Sequence, residues 1–579
     1  MTNLNLSNLH EITPLFIFLV ILLALIHPLG TYMAKVYSRQ STPLDRPLNF
    51  LEKYCYKLAH IDPQKEMTWQ EYASAILMAS LGGTLLLFAL LRCQAYLPLN
   101  PQGLANLSND LAFNMAVSFI TNTNWQAYSG ETTLSHFSQM AGLGVQNFLS
   151  ASMGMAILMA LIRGIVRKNT LLLGNFWVDW FRGNFYILLP LSLIFSLLLG
   201  AQGVIQNFHA DQVIIPLDHA AGALPQTIPG GPVASQIAIR TLGTNGGGFF
   251  GANAAHPFEN PSPFSNFIAL IGILLIPCSL CYTFGIMVND KKQGWAILSS
   301  LMLILLIFFG ACLIQEYQPN PTLDAFPLDQ TNGNMAGKEV RFGVLYSTLY
   351  ATISTATSNG ALNASLEAFS PLGGAIPLCL ILSGGVIFGG VGTGLCGLLV
   401  FILITVFICG LMVGRTPEYL GKKIQAYEIK MASIALFIPI LVILFGTAVA
   451  VSMAVGQAGI FNPGAQGFTE ILYGFSSTTG NNGSAFAGLQ ANSVFYNIAF
   501  GISMLLGRFW TIIPILAIAG SLANKKTTPN TCATLMTHTP LFMSMLVSVI
   551  LLVGLLSYLP ALVLGPISED LALHQEPPP

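Results

Sequence analysis

Charge is what this sequence lacks. Of its 579 residues only 8% are Asp, Glu, Lys or Arg. A soluble domain of ordinary composition carries about 25%. The chain is 53% hydrophobic with a mean hydropathy of +0.66, so it reads as an integral membrane protein. A net charge of -1 leaves no basic surface for nucleic acid. The nine cysteines lie mostly in apolar runs and form no disulfide framework. Cys278 and Cys281 have a C-x-x-C spacing, but no partner pair or nearby His accompanies them, and packing accounts for them better. There is no G-x-x-x-x-G-K-[ST] and no Asp-Lys-Thr-Gly string. The first apolar run follows His10 and Glu11, not a basic region, and lacks a small-residue cleavage site, so it reads as an uncleaved span.

Long apolar runs are what the sequence has. A hydrocarbon core of about 30 Å needs about 20 helical residues. Ten stretches satisfy this: 12–33, 72–93, 136–162, 185–205, 262–287, 294–314, 371–413, 431–455, 493–519 and 540–562. The connections 34–71, 163–184, 288–293, 414–430 and 520–539 together hold 18 Lys and Arg; the alternate set holds 3. That bias makes the basic set cytoplasmic and puts both termini outside. The longest cytoplasmic connection, 34–71, is too short for a nucleotide domain.

The four outer connections share a plan. Each holds an apolar stretch too short to span (111–120, 233–242, 344–355, 468–475), followed by a Gly/Asn/Thr/Ser cluster. Aligned, the clusters give Asn122-Thr123-Asn124, Thr244-Asn245-Gly246, Ser358-Asn359-Gly360 and Asn481-Asn482-Gly483. Their third positions are 122, 114 and 123 residues apart. Three are Gly and one is Asn, the residues that best tolerate a left-handed backbone, so one turn geometry is expected in all four.

A half-helix ending in an unpaired polar turn is tolerated at membrane depth only inside protein or beside a water-filled cavity. Four such units can surround one axis, each half-helix pointing its partly negative C-terminal end inward. The clusters carry no Lys or Arg, and a carboxylate only at the distal edge of the first, Glu131. Coordination would then use neutral oxygens, which suits a dehydrated monovalent cation; a divalent site would want several carboxylates. The expected fold is all-α: ten transmembrane helices with four pseudo-fourfold helix–re-entrant pore loop–helix repeats, potassium-channel-like. The expected segments are 1–71 (first helix and cytoplasmic loop), 72–184, 185–293, 294–430 and 431–539 (the four repeats), and 540–579 (last helix and outer tail).

The seventh run covers 43 residues, about 64 Å as a straight helix. The glycine-rich interior "SGGVIFGGVGTG" (383–394) should break it into a loop beneath the third turn, with Gly389, Gly390 and Gly392 as a gate against leakage. "GGVGTGLCG" (389–397) has no strand before it, so it is not a phosphate loop. Arg508 lies mid-span and needs a partner or a wet cavity. It either limits cation occupancy below the turns or ties structure to loop carbonyls or a carboxylate. His27, His136 and His256 are isolated and read as packing.

The strings "TNTNWQAYSGE", "LGTNGGGFFGANAAHPFENP", "FGGVGTGL", "GRTPEYLGKK", "NNGSAFAGL" and "AIAGSLANKK" span residues 121–526. Through them the sequence resembles the potassium-binding A subunit of the Kdp-type potassium-transporting ATPase, within the superfamily of potassium transporters. The resemblance implies a potassium filter at the four turns. It also implies lateral passage of the ion to a P-type ATPase catalytic subunit where ATP is hydrolysed, with a C subunit and a small F peptide as further partners. It places the protein in a bacterial cytoplasmic (inner) membrane, as a non-catalytic subunit of a high-affinity uptake pump. Phe249 and Phe250 would either pack behind the filter or line a lateral tunnel. Arg415, Lys422 and Lys423 would either dock the ATPase subunit or anchor at headgroups. An acidic residue is usual in the family just before the glycine run, where this chain has Gly385. The alternatives are a self-sufficient potassium channel or ion-coupled transporter, and an assembly protein that binds no ion.

Overall fold

In a bilayer every backbone polar group must be satisfied within the chain, so long apolar runs become helices. The computed structural model describes residues 9–216, 224–323, 326–528 and 535–575. In chain order the helices are α1 (Leu9–Tyr37), α2 (Asp45–Leu58), α3 (Trp69–Arg92) and α4 (Asn109–Ile120). Next come α5 (Ser138–Val166), α6 (Phe176–Ala201), α7 (Val233–Leu242), α8 (Pro263–Met287), α9 (Lys291–Glu316) and α10 (Gly343–Ala356). They are followed by α11 (Pro371–Leu382), α12 (Thr393–Met412), α13 (Ala426–Ser452), α14 (Ala465–Thr479), α15 (Val494–Asn524) and α16 (Pro540–Leu562). Ten of these are long and apolar enough to cross a membrane: α1, α3, α5, α6, α8, α9, α12, α13, α15 and α16. The protein is a multi-pass membrane protein.

Polar side chains set where the helices start. Thr68 and Glu71 form a capping box at α3, and Ser108, Ser370, Ser493 and Thr539 accept first-turn N–H groups at α4, α11, α15 and α16. The short helices α4, α7, α10 and α14 follow the apolar stretches of the outer connections, extended by a few residues. The seventh run is broken as expected: α11 stops at Leu382, and α12 begins at Thr393.

The most enclosed helices are α5 and α8, while α1, α3, α13 and α16 leave most of their surface outward. Packing joins α15 to α4, α5 and α13, and α8 to α1, α7 and α9. The short helices are thereby enclosed by long ones. Three two-stranded antiparallel ribbons depart from the all-helical expectation: Met67–Thr68 with Leu172–Gly174, Gln212–Ile214 with Gln226–Ile228, and Glu418–Tyr419 with Lys422–Lys423. All lie in connections, where two extended segments can satisfy each other's backbone.

Candidate functional site

Each short helix ends in the same closure. One residue turns left-handed: Asn122 (φ 67°), Thr244 (46°), Ser358 (53°) and Asn481 (50°). The N–H of the residue after it reaches back five positions, to Ser118 O (3.0 Å), Arg240 O (3.0 Å), Ser354 O (2.9 Å) and Ser477 O (2.8 Å). This is the Schellman arrangement, which satisfies C-terminal carbonyls. The first residue of each cluster is therefore left-handed in all four turns, a position the glycines did not mark. The third is left-handed at Asn124, Gly360 and Gly483, but in the second turn that conformation passes from Gly246 to Gly247. The helix must be closed directly after its last residue, and side-chain bonds hold Asn122, Thr244 and Asn481 in that strained geometry.

The four turns are bonded in a closed ring. Asn122 donates to Gly243 O (3.2 Å) and Thr244 O (3.0 Å), joining the first turn to the second. Asn359 donates to Arg240 O (3.2 Å), joining the third to the second helix end. Asn482 donates to Ser354 O and Thr355 O (3.3 Å each), joining the fourth to the third. Asn481 closes the ring on Thr123 Oγ1 at 2.9 Å. Main-chain atoms converge at the middle. A Cβ on Gly246 would overlap Thr123 O and stand 2.6 Å from Asn482 O, so backbone of three turns meets there. At Gly360 (φ +76°) a Cβ would overlap Asn482 O. Asn124 Oδ1, Asn245 Oδ1 and Thr479 Oγ1 are buried and accept no hydrogen bond.

Behind the second turn stands an ion pair that the sequence reading passed over. Arg240, on α7, is 1% exposed and pairs with fully buried Glu259. Its guanidinium also donates to Gly247 O (3.1 Å) and to Tyr350 Oη (3.3 Å). Glu259 accepts the N–H groups of Phe249 (3.1 Å) and Phe250 (3.4 Å). Both phenyl rings are buried. Phe250 stacks on His256 at 3.9 Å between centroids, and neither phenylalanine lines the cavity described next. They pack behind the turn. Arg240 was detectable in the sequence as the one basic residue in an apolar half-helix, since an ionisable group at membrane depth demands a partner.

Below the turns lies a cavity of about 130 Å³ lined by Asn122, Ser358, Asn481, Gly385, Gly390, Thr393 and Arg508, reaching between α13 (Pro439, Ile443) and α16 (Gly554, Tyr558). The 383–392 loop floors the ring. Gly389 N–H donates to Ala356 O (3.1 Å) and Val391 N–H to Thr244 Oγ1 (2.9 Å), so the loop sits beneath the second turn as well as the third. Gly392 packs on the Gly154 carbonyl. Arg508 is 5% exposed. It reaches Ser150 O (3.3 Å) and Thr393 Oγ1 (3.4 Å), and among the described residues no carboxylate lies within ion-pair distance. Ser150 in turn donates to Asn122 Oδ1 at 2.7 Å, so one side chain separates Arg508 from the first turn. Gly385 has no acid to offer; a Cβ there would stand 3.1 Å from Ser358 Oγ.

Both the fold and a matching family model bear on what this ring belongs to. The model of the potassium-transporting ATPase A subunit family matches residues 16–571. The chain belongs to that family. It is 54% identical over 568 residues to the potassium-transporting ATPase potassium-binding subunit of Sorangium cellulosum, covering 96% of this chain and 98% of the other. It is equally similar to the subunit of the same name from Herpetosiphon aurantiacus, with the same coverage, and 52% identical to that of Methylococcus capsulatus. Among solved structures, the fold resembles that of the potassium transporter TrkH from Vibrio parahaemolyticus (TM-score 0.51, 15% identity, 85% of this chain and 96% of that one).

The residues expected to dock a partner differ in exposure. Lys422 is buried, donating to Arg167 O and to Lys525 O (2.7 Å), so it knits three connections together and has no free ammonium for docking. Arg415 and Lys423 are exposed. His136 bonds the His209 carbonyl at 3.0 Å, and His27 packs on Tyr282.

Proposed function

We propose that the four turns form a potassium filter in the potassium-binding and translocating subunit of an ATP-driven, high-affinity uptake pump. The observation that carries the reading is the closed ring: four half-helices bring their partly negative ends together, and neutral main-chain and side-chain oxygens from all four turns gather there. Oxygen dipoles in a fixed ring replace an ion's hydration shell, and the absence of carboxylates from the ring favours a monovalent ion over a divalent one. A hundredfold preference for potassium over sodium requires about 2.8 kcal/mol.

In this reading the ion enters from outside through the ring and reaches the cavity above the 383–392 loop. The loop blocks direct release to the cytoplasm. The unneutralised charge of Arg508 holds down cation occupancy below the ring. The cavity's extension between α13 and α16 gives a lateral route toward a P-type ATPase subunit, where ATP is hydrolysed. A C subunit and a small F peptide complete the assembly, with Arg415 and Lys423 exposed on the cytoplasmic face. The chain lies in a bacterial cytoplasmic membrane with both termini outside, as the Lys/Arg bias requires. The four helix–turn–helix units are the repeats delimited above.

The test is potassium uptake by a potassium-starved strain with and without the ATPase subunit. Uptake should require that subunit, and Gly246→Asp should lower affinity or selectivity by crowding the ring with a carboxylate. Uptake without the ATPase subunit would turn the reading to a self-sufficient channel or ion-coupled transporter. Indifference to Gly246→Asp would remove the filter assignment.

A further inference from the structure

Helix α2 carries an apolar face with no partner among the described residues. Phe50, Tyr54 and Leu58, spaced by one helical turn each, are 80%, 58% and 70% exposed. The Phe50 and Tyr54 rings stack at 6.5 Å. Beside this ridge lie three exposed cations, Arg46, Lys53 and Lys57. The helix has two carboxylates, and both are turned to other work. Asp45 accepts from Thr42 N–H and Oγ1 at the helix start, and Glu52 is buried on the opposite face.

Glu52 also fixes where the helix sits. It accepts from Arg182 Nε (3.0 Å), Tyr186 Oη (2.7 Å) and Tyr56 Oη (2.9 Å), and the Tyr56 ring packs edge-on against Phe181. Arg182 reaches Val36 O in the last turn of α1, and Tyr32 donates to Tyr186 O. These partners lie within the inner ends of two spans, α1 and α6. The helix is therefore held alongside the span ends and not out beyond them. A solvated helix at that level would leave two aromatic rings and a leucine against water for no return. An apolar ridge flanked on one side by cations is the pattern of a helix lying in a membrane interface.

We propose that α2 is an interfacial anchor in the cytoplasmic leaflet. Phe50, Tyr54 and Leu58 seat at the boundary between headgroups and acyl chains, and Arg46, Lys53 and Lys57 pair with phosphates of anionic lipid. The choice of lipid over a protein partner rests on depth and on charge complementarity: the cytoplasmic leaflet is the anionic one. The assignment of side follows from the Lys/Arg bias and does not depend on the filter reading.

The experiment places a nitroxide at position 54 (Tyr54→Cys, with Cys55→Ser, Cys93→Ser, Cys379→Ser and Cys532→Ser) in the full chain. The protein is reconstituted in phosphatidylcholine vesicles with and without phosphatidylglycerol. Collision with oxygen, which concentrates in lipid, is compared with collision with a water-soluble nickel chelate. The oxygen-to-nickel ratio should be several-fold above that of a label at exposed His60, should rise further with phosphatidylglycerol, and should lose that rise in Lys53→Gln/Lys57→Gln. Because position 54 is exposed, the label leaves the core intact, and the melting temperature checks this. A ratio equal to that at His60 places the face in water and overturns the proposal. Shielding from both reagents places it against protein and also overturns it. A ratio insensitive to phosphatidylglycerol removes the headgroup pairing.

Discussion

Two arginines are buried around the same ring of turns, and their surroundings differ in one respect. Arg240 stands behind the second turn with a carboxylate against it, a tyrosine hydroxyl beside it and a turn carbonyl in reach. Arg508 stands below the ring with one carbonyl and one hydroxyl at long distance, facing a cavity. A guanidinium in the membrane interior costs at least about 2.5–3.5 kcal/mol on insertion scales. At Arg240 that cost is offset by Glu259, and the pair spends its remaining hydrogen bonds on backbone, so its charge is silent and its role is to position. At Arg508 the charge is left standing beside a cavity, with no carboxylate among the described residues within ion-pair distance. The difference teaches that a buried guanidinium is held as a strut where a carboxylate meets it and keeps its field where none does.

The comparison predicts unequal consequences. The largest should come from Glu259→Ala, which strands the Arg240 charge and frees the Phe249 and Phe250 amides. A loss of about 3–5 kcal/mol is expected, read as a collapse in folded yield and melting temperature together with loss of uptake. If Glu259→Ala melts like the wild type, the pair is not a strut. Next is Gly360→Ala, which touches the ring but neither arginine. The left-handed backbone alone costs about 1–2 kcal/mol for a residue with a Cβ, and the overlap with Asn482 O adds to it. Competition between potassium and sodium should show reduced discrimination in protein that still folds; unaltered discrimination would move the selective site elsewhere.

Arg508→Met should behave in the opposite way to Glu259→Ala. The melting temperature should stay close to wild type while apparent potassium affinity shifts by about tenfold, equivalent to ~1.4 kcal/mol, and Arg508→Lys should recover most of it. If Arg508→Met unfolds the protein as readily as loss of Glu259, the two sites are not distinct in kind. The smallest effect belongs to His256, stacked on Phe250 behind the strut. Burial, helped by the Arg341 guanidinium, pushes its pKa down to about 4. A lowered pKa means the fold favours the neutral ring. The associated stability is therefore full above about pH 6.5, the unperturbed value, and is lost as the pH falls toward 4. Because the ring is half-buried, the contribution should be roughly 1 kcal/mol or less. The wild-type melting temperature should drop more between pH 7 and 5 than that of His256→Gln; equal drops would show that the histidine is solvated.

Much of the architecture could be read from the residues. The ten spans, the four half-helices and the break at 383–392 follow from run length, polarity and glycine content, because the bilayer permits few alternatives to a helix. The site was legible as clusters but not in detail. Glycines drew attention to the third position of each turn, whereas helix termination makes the first one left-handed and lets Asn122, Thr244, Ser358 and Asn481 take that conformation. Lys422 looked like a surface cation beside Lys423, and only the neighbouring connections bury it. Phe249 and Phe250 gave no sign of which way they faced.

By itself the sequence determined that this chain crosses the membrane repeatedly and that four uncharged polar turns interrupt it on one side, since these depend on local composition and spacing. Tertiary structure alone decided that the turns close on one another, that Glu259 comes to Arg240, and that no carboxylate among the described residues comes to Arg508. Those outcomes depend on which distant segments share a buried space, and local composition carries no record of that.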